Sequence, residues 1–269
     1  MAETTFSKIS FYIVAHADDW QLFMQPNAYN DLVTPGTKVV FIITTAGDAG
    51  ACETYWPSRE EGSKSSVRFC TSPLIKIVEC IGTRAFNGHP INFWSTHNVT
   101  SYFLRLPDGN IDGNGFSKNN FYSLSRFVAG QIAEISAIDQ STTYSSWQDF
   151  CTTLGAIITW ERSDVGNTNV NYLNPDVSTN ASDHSDHIST GQAIQAIEFR
   201  GMQHHLFVGY SVASRHENLD PALLFWKAGM FAAYEKAVYD GSGYSTLKED
   251  VSLYTRWCLS NGVFTTIHA

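Results

Sequence analysis

The chain has 269 residues, of which 43% are hydrophobic and only 16% charged, a composition that excludes intrinsic disorder, collagen and coiled coil and suffices for one large α/β domain. Its 17 basic against 26 acidic residues leave a formal charge of -9 with no basic run, so a phosphate backbone meets net repulsion and no nucleic-acid partner is expected. The longest apolar runs, such as 11–15 and 39–43, fall far short of the ~20 residues that cross a bilayer, and the start lacks a secretory signal pattern, so a cytoplasmic protein with no membrane span is expected.

In chain order, Ile9 to Ala15 is a continuous apolar run rich in β-formers, as a strand covered on both faces requires. Residues 19–32 predict a helix broken or kinked at Pro26, Pro35-Gly36 a turn, and Lys38 to Thr44 a second buried strand, which together make a β-α-β unit. Trp56-Pro57-Ser58 followed by Arg59-Glu60-Glu61 predicts a helix start, with the helix ending before Pro73. The stretch 74–106 reads as a hairpin-bearing insertion, and Leu106 to Gly115 as a turn-rich loop. Beyond it the pattern predicts a helix over Phe121 to Ala137, a buried strand at 154–160, a long polar loop from Glu161 to Asp183, a helix over His187 to Arg200, a strand over His205 to Val212 and a helix over Pro221 to Tyr239. Strands alternating with helices predict a single Rossmann-like α/β domain over 1–269, with a mostly parallel sheet and helices on both faces.

Two polar clusters carry the chemistry. The first, Ala15-His16-Ala17-Asp18-Asp19, stands at the carboxyl end of the first strand, where open α/β sheets bind ligands. His16 and Asp19 are three apart, so in a helical turn both reach one ion; the competing reading is an acidic helix N-terminus. The second, Asp183-His184-Ser185-Asp186-His187, brings two imidazoles and two carboxylates together before a helix, and here the competing reading is a surface loop with a capping Asp.

Taken together the clusters resemble the paired signatures of the zinc-dependent N-acetylglucosaminyl deacetylases of the PIG-L or LmbE-like family, A-H-P-D-D-E after the first strand and H-x-D-H before a later helix. Thr44 to Gly50 is similar to that family's T-x-G-x-x-G loop, Arg59-Glu60-Glu61 to its helix-opening Arg segment, Leu106-Pro107-Asp108-Gly109 to its L-P-D-G loop, and Lys227, Phe231 and Tyr234 to its K-x-x-x-F-x-x-Y helix. The likeness leaves 74–103 and 240–269 as elaborations.

The resemblance implies Zn2+ held by His16, Asp19 and His187, with Asp18 as general base and His184 as oxyanion or acid histidine tuned by Asp186. It also implies Arg59, Asp108 and Trp20 at the substrate, an N-acetylated amino sugar or its glycoside, which would lose its acetyl group to activated water. Ala17 replaces the motif's proline and Trp20 its terminal glutamate; the indole either walls the pocket or belongs to the core. Two other readings compete: hydrolysis of a different amide on the same scaffold, and carbohydrate binding without turnover.

Three further patterns carry less. Asp108, Asn110 and Asp112 match half a calcium loop, but Asn119 stands where the bidentate Glu belongs, so calcium is not expected. The five cysteines lack C-x-x-C spacing and predict buried free thiols. Sequons at Asn98 and Asn180 are read as chance triplets.

Overall fold

The computed structural model describes residues 6–71, 78–162, 165–198, 200–260 and 263–268. Eight strands make its central sheet: β1 (Lys8–Val14), β2 (Thr37–Thr45), β3 (Glu79–Phe86), β4 (His89–Thr96), β5 (Val99–Leu106), β8 (Asn167–Leu173), β9 (Gln203–Phe207) and β10 (Val263–His268). They lie in the order β10-β9-β8-β1-β2-β5-β4-β3. β6 (Ile135–Ser136) and β7 (Thr143–Tyr144) form a separate small ladder. The inner five strands, β5-β2-β1-β8-β9, are parallel, while β4, β3 and β10 add antiparallel edges. The fold is therefore mixed α/β with a mostly parallel sheet, and its antiparallel edges depart from a clean Rossmann arrangement.

Side chains alternate along β1 into two cores. Tyr12 and Val14 join a cluster with α1 (Asp19–Phe23), α2 (Asn27–Val33), α3 (Tyr55–Thr71), α7 (Pro221–Ser242) and α8 (Leu247–Leu259). Ile9, Phe11 and Ile13 face the other cluster, built with α4 (Leu124–Val128), α5 (Trp147–Arg162) and α6 (Ser185–Gln195). Helices thus cover both faces. Among the described residues no helix is long and apolar enough to cross a membrane.

Several elements differ from expectation. The run 154–160 is helix, because Phe150, Cys151, Leu154, Ile157 and Ile158 recur at three- and four-residue spacing and bury one face of α5. The predicted polar loop 161–183 contains β8, a central strand disguised by its asparagines; buried Asn171 donates to the Phe11 carbonyl at 2.9 Å, which satisfies its amide inside the sheet. Only Leu124–Val128 of the predicted helix 121–137 is helical, and Gly130 follows it in the left-handed region. Strand β9 stops at Phe207, and Tyr210–Ser214 is a 3-10 turn.

The break near Pro26 and the helix over 55–71 match expectation, as does the β3–β4 hairpin; residues 74–77 of the predicted insertion lie outside the described residues. Cys70 and Cys151 are buried thiols, whereas Cys52 and Cys80 are exposed. The amides of Asn98 and Asn180 are buried and donate to neighbouring groups.

Candidate metal centre

Chain order reverses at β1, which lies between β2 and β8, so a crevice opens beyond the carboxyl ends of these strands. The four polar motifs all emerge there: His16 to Asp19 after β1, Ala46 to Gly50 after β2, Pro107 to Gly109 after β5, and Asp183 to His187 at the end of the segment that follows β8 and in the first turn of α6. Residues far apart in sequence are thereby gathered by the parallel register.

His16, Asp19 and His187 are buried and could hold a metal ion. His16 Nδ1 is 3.1 Å from His187 Nε2, and Asp19 Oδ1 is 3.0 Å from His187 Nε2 and 3.5 Å from His16 Nδ1. Donors bound at ~2.0–2.2 Å to one tetrahedral ion stand roughly 3.4 Å apart, so these three atoms fit a shared ion. The His16 amide donates to Asp19 Oδ2 at 2.8 Å and turns the other oxygen toward the imidazoles.

Charge tells the same story. Burial opposes a charge on His16, yet Asp19 and Asp186 raise its pKa to about 10; His187 is likewise raised by Asp183 and Asp19 against its own burial. Asp19 is lowered because the two imidazoles outweigh desolvation. The cluster is thus built to contain positive charge.

Each imidazole has a carboxylate behind it. Asp183 Oδ1 lies 2.9 Å from His187 Nδ1, and Asp183 in turn accepts the Tyr210 amide at 3.0 Å and Asn180 Nδ2 at 2.5 Å. The sequence placed Asp183 in the second cluster as one of its two carboxylates, but the resemblance assigned it no role; it reaches His187 from just ahead of α6. Asp186 Oδ2 lies 3.4 Å from His16 Nε2 but 3.8 Å from His184 Nδ1, and it accepts the Gly109 amide at 2.8 Å. Asp186 therefore faces His16 more closely than the histidine it was expected to tune. His184 Nδ1 instead accepts the Asp186 backbone amide at 3.2 Å, which assigns the neutral ring's proton to Nε2, 3.7 Å from Asp108 Oδ1. Burial and the nearby charge of His16 lower the His184 pKa to about 3.

Asp18, Asp19, Asp108, His16 and His184 line one cavity of about 260 Å³. Arg59 also lines it, and three of its five N–H donors serve the protein: Nε to Tyr234 Oη at 2.7 Å, Nη1 to the Gly47 carbonyl at 2.7 Å, and Nη2 to Asp18 Oδ1 at 2.5 Å. Arg59 thus clamps Asp18 and also faces the cavity in which it was expected to meet substrate hydroxyls. Gly47 has φ 57°, and a Cβ there would meet Arg59 Nη1 at 2.3 Å, so the clamp needs glycine at this point. Asp108 contributes from the loop after β5, held by the Asn110 amide at 2.8 Å and the Ala49 amide at 3.3 Å.

Trp20 does not line the cavity. It is fully buried, its Nε1 donates to Ser63 Oγ at 2.9 Å, and its ring meets Phe41 at 4.5 Å, so it is core and leaves the set of substrate contacts. The aromatic lining comes instead from Phe23, Tyr55, Phe116, Tyr210, Tyr244, Tyr254 and Trp257, none of which carried a sequence signal as a site residue.

No family model matches the chain, and no curated protein matches it. Among solved structures, the conserved protein TT1542 from Thermus thermophilus aligns over 98% of this chain and 94% of that chain at 10% identity with a TM-score of 0.42, a likeness too distant to establish a shared fold.

Proposed function

We propose that the protein is a zinc-dependent N-deacetylase that hydrolyses the acetamide of an N-acetylated amino sugar or its glycoside. The observation that carries this reading is the convergence of His16 Nδ1, Asp19 Oδ1 and His187 Nε2 beside a cavity that Asp18 and His184 also line. Three buried N/O donors beside an open cavity are the donor set of catalytic rather than structural zinc. The order and spacing of the His-x-Asp-Asp and His-x-Asp-His motifs, which resemble the PIG-L or LmbE-like deacetylases, support the same chemistry.

Zinc held by His16, Asp19 and His187 would supply Lewis acidity and a more acidic water. Asp18 accepts the water's proton as the oxygen attacks the acetamide carbon, then delivers a proton to the departing nitrogen. Arg59 holds Asp18 in place through the 2.5 Å contact to Oδ1. His184, oriented by the backbone amide at its Nδ1, donates from Nε2 to the carbonyl oxygen as negative charge grows there. Acetate and a free amine result.

The test is acetate release from a panel of N-acetylhexosamines, their glycosides and an acetylated aryl amine, with and without chelator. Activity that is lost to chelator, restored by zinc and absent from the double variant His16→Ala/His187→Ala supports the proposal. Activity indifferent to chelator rejects it, and turnover of the aryl amide alone moves the assignment to a different amide.

A further inference from the structure

The cavity is completed by chain outside the motif-bearing core. Tyr244, Thr246, Tyr254 and Trp257, all within the C-terminal elaboration, line it. Trp257 stacks on Tyr210 at 4.7 Å with planes 27° apart, and Tyr254 meets the edge of Trp257 at 4.8 Å. Trp257 Nε1 donates to the Tyr210 carbonyl at 3.2 Å. From α7, Lys227 Nζ donates to the carbonyls of Trp257 and Ser260 at 2.7 and 2.6 Å, which ties down the end of α8. This aromatic wall is therefore braced by hydrogen bonds as well as by packing.

The same cavity is poor in cations. Arg59 is the only Lys or Arg among the described residues that line it, and its Nε, Nη1 and Nη2 already serve Tyr234, Gly47 and Asp18. Asp18, Asp19 and Asp108 line it as well. Zinc held by His16, Asp19 and His187 would be the one further cation, and on the deacetylase reading it serves the acetamide. A phosphate elsewhere on the substrate would therefore lose its hydration beside three carboxylates with only the clamped Arg59 near. The volume of about 260 Å³ suits one sugar ring within the cavity, with any aglycone or conjugate reaching out of it.

Resting on the deacetylase reading for the group that is cleaved, we propose that the α8 wall makes the site selective for a neutral acetamido-sugar ring, with Tyr254 a specificity-determining residue, and that it rejects phosphorylated and nucleotide-linked forms. Tyr254 is held by stacking on Phe231 at 5.4 Å, and an aromatic wall fixed in this way gives the C–H groups of a sugar ring an apolar surface to pack on. The scarcity of cations away from the metal leaves little to hold an anionic substituent.

Calorimetric titration of the zinc-loaded full chain with N-acetylglucosamine, its 6-phosphate and its UDP conjugate tests this, with acetate release followed separately. The neutral sugar should bind at least about tenfold more tightly than either anionic form, in keeping with the cost of an uncompensated buried charge. Tyr254→Ala, checked for folding by circular dichroism, should weaken the neutral sugar roughly three- to tenfold, the scale of one aromatic contact. Tyr244→Lys, at a position 37% exposed, should narrow the gap by strengthening the 6-phosphate. Equal or tighter binding of an anionic form overturns the proposal, as does failure of all three sugars to bind or a folded Tyr254→Ala with unchanged affinity. Selective neutral binding with no acetate release under any metal would reject the hydrolase and leave the wall standing. Acetate release that favours the phosphorylated sugar would do the reverse.

Discussion

Asp183 stands just ahead of α6, four residues before His187, and the 2.9 Å contact between Asp183 Oδ1 and His187 Nδ1 leaves His187 Nε2 facing His16 and Asp19. A carboxylate behind a ligand imidazole fixes the tautomer and makes the other nitrogen a better donor. Removing its charge while keeping its shape, as in Asp183→Asn, should lower metal affinity by about ten- to a hundredfold. Competition with a chromogenic chelator measures this, and an unchanged Kd would deny Asp183 its orienting role.

Asp18 and Arg59 form a second functional pair. Asp18→Asn should retain the metal and lose roughly 10² to 10⁴ in turnover, because the amide cannot accept a proton. Arg59→Ala should lower kcat more than it raises KM, since the guanidinium holds Asp18 at 2.5 Å. A rise in KM with kcat intact would return Arg59 to direct contact with substrate.

Trp20→Glu tests the core assignment. The indole is fully buried and hydrogen-bonded to Ser63, so the substitution opens a cavity and buries a carboxylate, at a cost of at least about 3 kcal/mol. Denaturant unfolding should record that loss, while the surviving folded protein keeps its ratios of kcat/KM across substrates. Altered ratios would put the indole back at the pocket.

Lys227 predicts a pH dependence with a definite sign. Burial lowers its pKa to about 7, against ~10.4 in an unfolded chain, so between these values the unfolded state binds more protons. Stability therefore rises with pH across that window, and the cost of burying the charge is felt in full below it. The neutral amine still has two hydrogens for the Trp257 and Ser260 carbonyls. Relative to Lys227→Met, the wild-type protein should gain up to about 1.4 kcal/mol per pH unit between pH 7 and 10. Parallel stability curves for the two proteins would remove Lys227 from any account of pH dependence.

The two polar motifs of the site could be read before any fold was known. His16, Asp19 and His187 were singled out together by the resemblance of their two motifs to the PIG-L or LmbE-like signatures; their places at a strand's carboxyl end and a helix start agreed with that but left each cluster's role open. The buried strands β1 and β2 were legible as uninterrupted apolar runs. Where periodicity is ambiguous or misleading, packing against the rest of the fold settled the element. A short β-branched run fits both a strand and a buried helix face, and the pattern extending back to Phe150 made 154–160 helical. β8 was hidden because Asn171 is a polar residue whose amide finds its partner, the Phe11 carbonyl, on another strand. Trp20 went to the core, Arg59 to Asp18, and Tyr254 and Trp257 to the cavity through contacts between distant segments, and no local spacing encodes which face a side chain will find there.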